Sequence, residues 1–478
     1  MFALIGCGDD AQVKPDAIDY TLGEAPALAM PCADQRDAVY TLPTGLPAMD
    51  DSHRGDVFHC AITEKITVPD IKAQIAAYDE AFSASTVPTV NSGFWTYRIA
   101  YRTTRVTISA ARAEGDTAAV LIIPAKPLAG APLVVFGHGS TGVAPKCAPS
   151  RLDLSAAATD QDYPPMLYRL ASYGYTVIAP DFSGYSYGQP PGYFNAEDEA
   201  HAILDATRAA AKILPTPPDK VVFVGHSQGG HAVLAAQSYS KSYGMQGTLV
   251  GVAAFAPLWM SMSLWAAATT GAANLMTANA ADVNAILYAM EYAYSAGELR
   301  DPGHGVDVFQ TAKQTAAKDT ILNECYDGAK LQTLGATPAD FFEMNYVNNV
   351  GAACAVNPFT PDCTSAEAML WKARWLEDRP PLDKSSAPII LFFGAMDTLV
   401  TTGRAECGRK KIAADLMGGT TTATSCYNDV AAHRDIIRGS DPEYLNKWIA
   451  AKGGVGADPG SCPEFPAGRV CQTPPNDY

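Results

Sequence analysis

The chain has 478 residues, a formal net charge of −16 and 11 cysteines, with 48% apolar and 18% charged residues. That length exceeds one ordinary domain, and the composition is that of a globular, core-rich protein. The acidic surplus argues against a nucleic-acid partner, and no apolar run is long enough to span a bilayer. No C-x-x-C pair or Cys/His cluster at zinc spacing occurs, so a metal site is not expected, and the chemistry that the chain's motifs carry needs no cofactor.

Cysteine usage points to an oxidising compartment. Leu4-Ile5-Gly6-Cys7 has the pattern of a bacterial lipobox, which is cut before a cysteine that then takes lipid, although the residues before it lack a basic n-region. Setting one of the 11 cysteines aside leaves ten, enough for five disulfides. The chain is therefore expected to be either secreted or held at the cell envelope by a membrane tether through lipid on Cys7. Close spacing pairs Cys354 with Cys363, Cys462 with Cys471, Cys407 with Cys426 and Cys32 with Cys60, leaving Cys147 for Cys325.

Residues 8–90 are rich in Pro, Asp and Ala with weak periodicity, and read as an N-terminal extension with one helix at Ile71–Phe82. Opening strands are expected at Trp95–Arg105 and Thr117–Ile123. Short apolar runs follow at Leu133–Phe136, Thr176–Ala179, Val221–Val224, Leu249–Phe255 and Ile389–Phe393, as in strands buried on both faces of a parallel sheet. Helices lie between them at Pro165–Tyr173, Glu197–Leu214 and His231–Tyr243. In the second, the Ala/Ile face turns inward, while Glu199, Asp205, Arg208 and Lys212 are expected to face away. This alternation describes a doubly wound α/β core over 91–258 and 386–452. It breaks after Pro257. The stretch 259–385 carries Trp259, Met260, Met262, Leu264, Trp265, Ile286, Leu287, Met290, Tyr292 and Tyr294 at helical spacing, and reads as an inserted helical cap. Thr422–Tyr427 is the expected last strand, Thr401–Leu416 and Pro442–Ala451 are closing helices, and 453–478 is a stapled tail.

Chemistry concentrates at Gly225-His226-Ser227-Gln228-Gly229, a G-x-S-x-G between a Val-rich strand and an Ala-rich helix. This is a nucleophile elbow in its required context, strand then sharp turn then helix, and it presents Ser227 as nucleophile. A serine hydroxyl needs a base, and the base needs a carboxylate to set its tautomer. In the α/β-hydrolase fold the order along the chain is Ser, acid, His. His433, in the loop after the last strand, is the expected base; His304 falls too early, inside the cap. Asp397, emerging from Ile389–Phe393, is the expected acid; Asp429 is too near His433 in sequence, and Asp415 is mid-helix. The oxyanion donors are expected to be the backbone N–H groups of Gln228 and Ser140, with Gly139 and Thr141 as neighbouring alternatives. His138 and His226 read as packing residues.

These motifs together resemble the secretory lipase family of α/β-hydrolases, the yeast lipase A type. His138-Gly139-Ser140-Thr141-Gly142 followed by Cys147-Ala148-Pro149-Ser150 is similar to that family's oxyanion region. Ala179–Tyr185 is similar to its next strand and loop, and Leu204–Ala210 to its helix before the elbow. The resemblance implies a mostly parallel sheet with helices on both faces, a large helical lid, and the triad Ser227, Asp397 and His433. The expected activity is ester hydrolysis through an acyl-enzyme, on lipid or other bulky apolar esters, triacylglycerol first. A peptidase or amidase, an acyltransferase, or an inactive hydrolase fold used for binding are the alternatives.

Overall fold

The computed structural model describes residues 22–82, 90–106, 113–156, 163–259, 265, 268–269, 274–278, 280–326, 328–352, 365–439 and 442–471. Met260, Met262, Leu264, Cys7 and the expected pair Cys354–Cys363 lie outside them.

One nine-stranded sheet organises the molecule. Its strands are β1 (Val57–Ile66), β2 (Phe94–Arg105), β3 (Ala113–Pro124), β4 (Leu133–Gly137), β5 (Val177–Pro180), β6 (Lys220–His226), β7 (Thr248–Phe255), β8 (Ile389–Gly394) and β9 (Ala423–Asn428). The spatial order is β1-β2-β3-β5-β4-β6-β7-β8-β9. The first three strands and the β3–β5 pair are antiparallel, and the rest of the ladder is parallel. Buried Val, Ile and Phe on β4, β6 and β8 are what a sheet covered on both faces requires.

The sequence reading missed β1. It lies at a sheet edge with only three of its ten residues buried and with register shifts against β2, so its alternation is blurred.

The helices flanking the sheet are α1 (Val68–Phe82), α2 (Tyr163–Tyr173), α3 (Ala196–Ile213) and α4 (Gln228–Tyr243). Between β7 and β8 stand α5 (Ala280–Arg300), α6 (Gln314–Asn323), α7 (Gly328–Leu334) and α8 (Ala366–Glu377). The chain closes with α9 (Thr402–Asp415) and α10 (Pro442–Gly453). α3 and α4 pack on each other and on the central strands as one layer, while α2 and α10 pack together as the other.

Polar positions on α3 correct the amphipathic reading. Glu199 and Asp205, expected to face away, are 1% and 0% exposed. Asp205 takes hydrogen bonds from Tyr243, Thr103 and Arg208. α3 is a sandwiched helix, so its second face is buried too, and charge survives there only where partners are supplied.

Four disulfides join the described residues. Cys32–Cys60 and Cys147–Cys325 match expectation. The remaining four cysteines pair as Cys407–Cys471 and Cys426–Cys462, not by sequence proximity. The reason is the tail. It runs along the open edge of β9, bridging Cys426 with Glu464, and Tyr427 N–H donates to Pro463 C=O at 2.8 Å. That alignment puts Cys462 beside the strand and carries Cys471 on to α9. Four disulfides are consistent with an extracellular protein. Among the described residues no helix is long and apolar enough to cross a membrane.

Candidate active site

Ser227 sits at the junction of β6 and α4 with φ 52° and ψ −113°, a left-handed conformation that a non-glycine residue rarely adopts. Its N–H donates to Phe255 C=O of the neighbouring strand at 2.9 Å, which pins the turn. The glycines are steric requirements. A Cβ at Gly225 would overlap the Gly229 carbonyl, and a Cβ at Gly229 would overlap the carbonyl of Gly137 at the end of β4.

His433 and Asp397 reach this serine from separate loops. Asp397 follows β8 and His433 follows β9, adjacent strands in the sheet. His433 Nε2 is 2.9 Å from Ser227 Oγ, and its Nδ1 is 2.7 Å from Asp397 Oδ2. The other carboxylate oxygen accepts the N–H groups of Leu399 and Val400 at 2.8 and 2.7 Å. Burial works against charge on Asp397, but His433 and these N–H donors outweigh it and hold the carboxyl below the usual carboxylate range. Arg404 braces the same turn, donating to Leu399 C=O at 2.7 Å.

The other sequence candidates fall around this trio. His226 Nε2 meets the His433 carbonyl at 2.9 Å, with the two rings 5.0 Å apart, so it supports the base loop. His138 is buried against Phe182, ring centroids 4.7 Å apart. His304 is exposed on the insertion beside Asp307. Gln228 opens α4, so its N–H is among the four that a helix start leaves without an intrahelical acceptor. Ser140 stands in the loop after β4, where its hydroxyl meets Tyr193 Oη at 2.7 Å.

One feature of the site escaped sequence reading. Behind Gln228 lies a buried polar cluster of Glu199, His231 and Tyr185. The available signal was His231 on an otherwise apolar helix face, where burial demands a partner. Nothing in the sequence tells which carboxylate supplies it. Among the described residues no group of three or more His, Cys, Asp or Glu side chains is placed to hold a metal ion.

The arrangement offers a hydroxyl, a base within reach of its proton, a carboxylate orienting that base, and a helix start beside the hydroxyl. Comparison with known proteins agrees with the fold. No functionally curated protein matches the sequence significantly. The structure is similar to Candida antarctica lipase A in its closed state, at 17% identity over 92% of each chain, TM-score 0.60. It is also similar to the rice cell wall degrading esterase LipA from Xanthomonas oryzae, at 20% identity over 84% of this chain and 97% of that one, TM-score 0.54. A sequence model of the alpha/beta hydrolase family matches residues 134–413, more than half of the chain, and the chain belongs to that family.

Proposed function

We propose that the protein is a serine carboxylic-ester hydrolase acting on lipid or other bulky apolar esters. The observation that carries this reading is the continuous line Ser227 Oγ, His433 Nε2, His433 Nδ1, Asp397 Oδ2, with links of 2.9 and 2.7 Å. Ser227 attacks the ester carbonyl while His433 takes its proton. Asp397 keeps Nδ1 protonated and stabilises the imidazolium that forms. The N–H groups of Gln228 and Ser140 hold the oxyanion, each donor worth roughly 2.7–4 kcal/mol in the transition state. His433 then protonates the leaving alcohol, and water, deprotonated by the same base, clears the acyl-enzyme.

Ester chemistry is favoured by the lipase and esterase names of the similar structures. Preference for a bulky apolar substrate is supported by the aromatic character of the insertion, where Trp265 stacks on Tyr292 at 4.5 Å. The protein would act outside the cytoplasm, tethered to a membrane through lipid on Cys7.

Hydrolysis of p-nitrophenyl esters from acetate to palmitate, wild type against Ser227→Ala, tests the reading. Activity that vanishes in the variant and peaks on long chains is the expected result. Activity confined to the shortest esters refutes the substrate class. Absence of any Ser227-dependent ester hydrolysis refutes the reaction.

A further inference from the structure

The residue after the nucleophile is anchored through its side chain as well as by the helix it begins. Gln228 is fully buried, and its Nε2 donates to Tyr185 Oη and to Glu199 Oε1, both at 2.8 Å. Glu199 Oε1 also accepts the Phe194 N–H at 2.9 Å. Its other oxygen lies 2.8 Å from His231 Nδ1, one turn further along α4. His231 Nε2 donates in turn to the carbonyl of Asp378 at 2.7 Å.

Both nitrogens of His231 thus face oxygen acceptors, and one proton is held between Nδ1 and Glu199. The charge and hydrogen bonding of Glu199 raise the imidazole against the opposing effect of burial. Rings of Phe194 and Trp259 lie 5.1 and 5.5 Å from that of His231 and keep the pair dry.

The chain of contacts continues into the helical insertion. Asp378 directly follows α8. Its carboxylate accepts the Tyr292 hydroxyl at 2.8 Å and an Arg300 N–H at 2.9 Å, both from α5. Tyr185, Glu199, His231, Asp378 and Tyr292 are each no more than 1% exposed. A path of hydrogen bonds, joined at Asp378 through that residue's own covalent frame from carboxylate to backbone carbonyl, therefore runs from α5 of the insertion to the side chain of Gln228.

We infer that Glu199 and His231 are positioning residues: they fix the Gln228 N–H as oxyanion donor and tie that donor to the insertion through Asp378 and Tyr292. This rests on the ester-hydrolase reading above. A buried carboxylate–imidazole pair is an expensive way to join two helices, since apolar residues of the same volume hold such a junction at least as well. What the pair adds is direction: Gln228 Nε2 has two acceptors at fixed places, which anchor this side chain and reinforce a Ser227–Gln228 peptide whose carbonyl already accepts the His231 N–H at 3.1 Å.

The test compares Glu199→Gln and Tyr292→Phe with wild type, all normalised to active sites titrated with a fluorophosphonate. Besides kcat and KM, the inhibition constant of an alkyl trifluoromethyl ketone is measured; its serine adduct places an oxyanion in the same hole. Glu199→Gln is expected to lower kcat per site by about 10–100-fold with KM within twofold, and to weaken the ketone in proportion. Tyr292→Phe is expected to lower kcat by about two- to fivefold alone and to add nothing in the Glu199→Gln background. Should Glu199→Gln not fold, Tyr292→Phe carries the same comparison of kcat against ketone inhibition. A per-site kcat and ketone affinity within twofold of wild type in both variants overturns the inference while leaving the hydrolase reading intact. A wild-type protein without Ser227-dependent ester turnover overturns both.

Discussion

Replacing Asp397 by asparagine preserves shape and changes one thing, the direction of a proton. Oδ1 of Asp397 accepts two backbone N–H groups, from Leu399 and Val400. In the Asp397→Asn protein only the amide oxygen can take that place, so the amide NH2 must occupy the position of Oδ2, 2.7 Å from His433 Nδ1. A donor there forces Nδ1 to be the acceptor and moves the imidazole proton to Nε2. Nε2 then donates to Ser227 Oγ, 2.9 Å away, and cannot take its proton. The wrong tautomer together with loss of the counter-charge is expected to lower kcat by about 10⁴-fold, roughly 5 kcal/mol of transition-state stabilisation. The assay is p-nitrophenyl butyrate hydrolysis at neutral pH, with circular dichroism confirming the fold. A loss below tenfold in a folded protein would refute the assignment of Asp397 as the orienting acid.

Other consequences follow from packing and charge. Gly229→Ala drives a methyl group into the Gly137 carbonyl, and is expected to cost about 3 kcal/mol or more and to abolish activity; a thermal melt within 2 °C of wild type would contradict this. Peptide mapping under non-reducing conditions should recover Cys407–Cys471 and Cys426–Cys462. Removing the second bridge as a Cys426→Ser/Cys462→Ser pair should destabilise by about 2–4 kcal/mol in chemical denaturation. Glu291, on α5, is fully buried, and burial pushes its carboxyl up to about 8, with Tyr326 and the Val143 backbone holding it back. The unfolded chain loses this proton near pH 4 to 5 while the native state keeps it, so Glu291 erodes stability as pH rises between there and about 8. The melting temperature of Glu291→Gln should therefore gain on wild type from pH 5 to pH 8; a constant difference across that range would show that the carboxyl ionises in the fold as it does in water.

The amino-acid sequence by itself determined the parallel core and singled out three side chains that the fold brings within hydrogen-bonding distance of one another. Central strands are buried on both faces, and continuous apolar runs such as Val221–Val224 and Ile389–Phe393 announce themselves whatever surrounds them. Ser227 was legible because its turn needs glycine at fixed offsets. Asp397 and His433 were legible because topology allows an acid and a base only at the ends of particular strands. The edge strand β1, the Cys407–Cys471 and Cys426–Cys462 pairing, and the Glu199–His231 pair were decided only in three dimensions. β1 lacks a clean pattern because its register shifts against β2 and few of its residues are buried. The disulfides follow the path of the tail along β9, whereas sequence proximity pairs the same cysteines differently. Glu199 looks like a solvated helix residue until α4 covers it, and periodicity reports one buried face, never the second that another helix closes. Local pattern records what a segment buries against its own sheet; partners from distant segments are fixed only when the layers close.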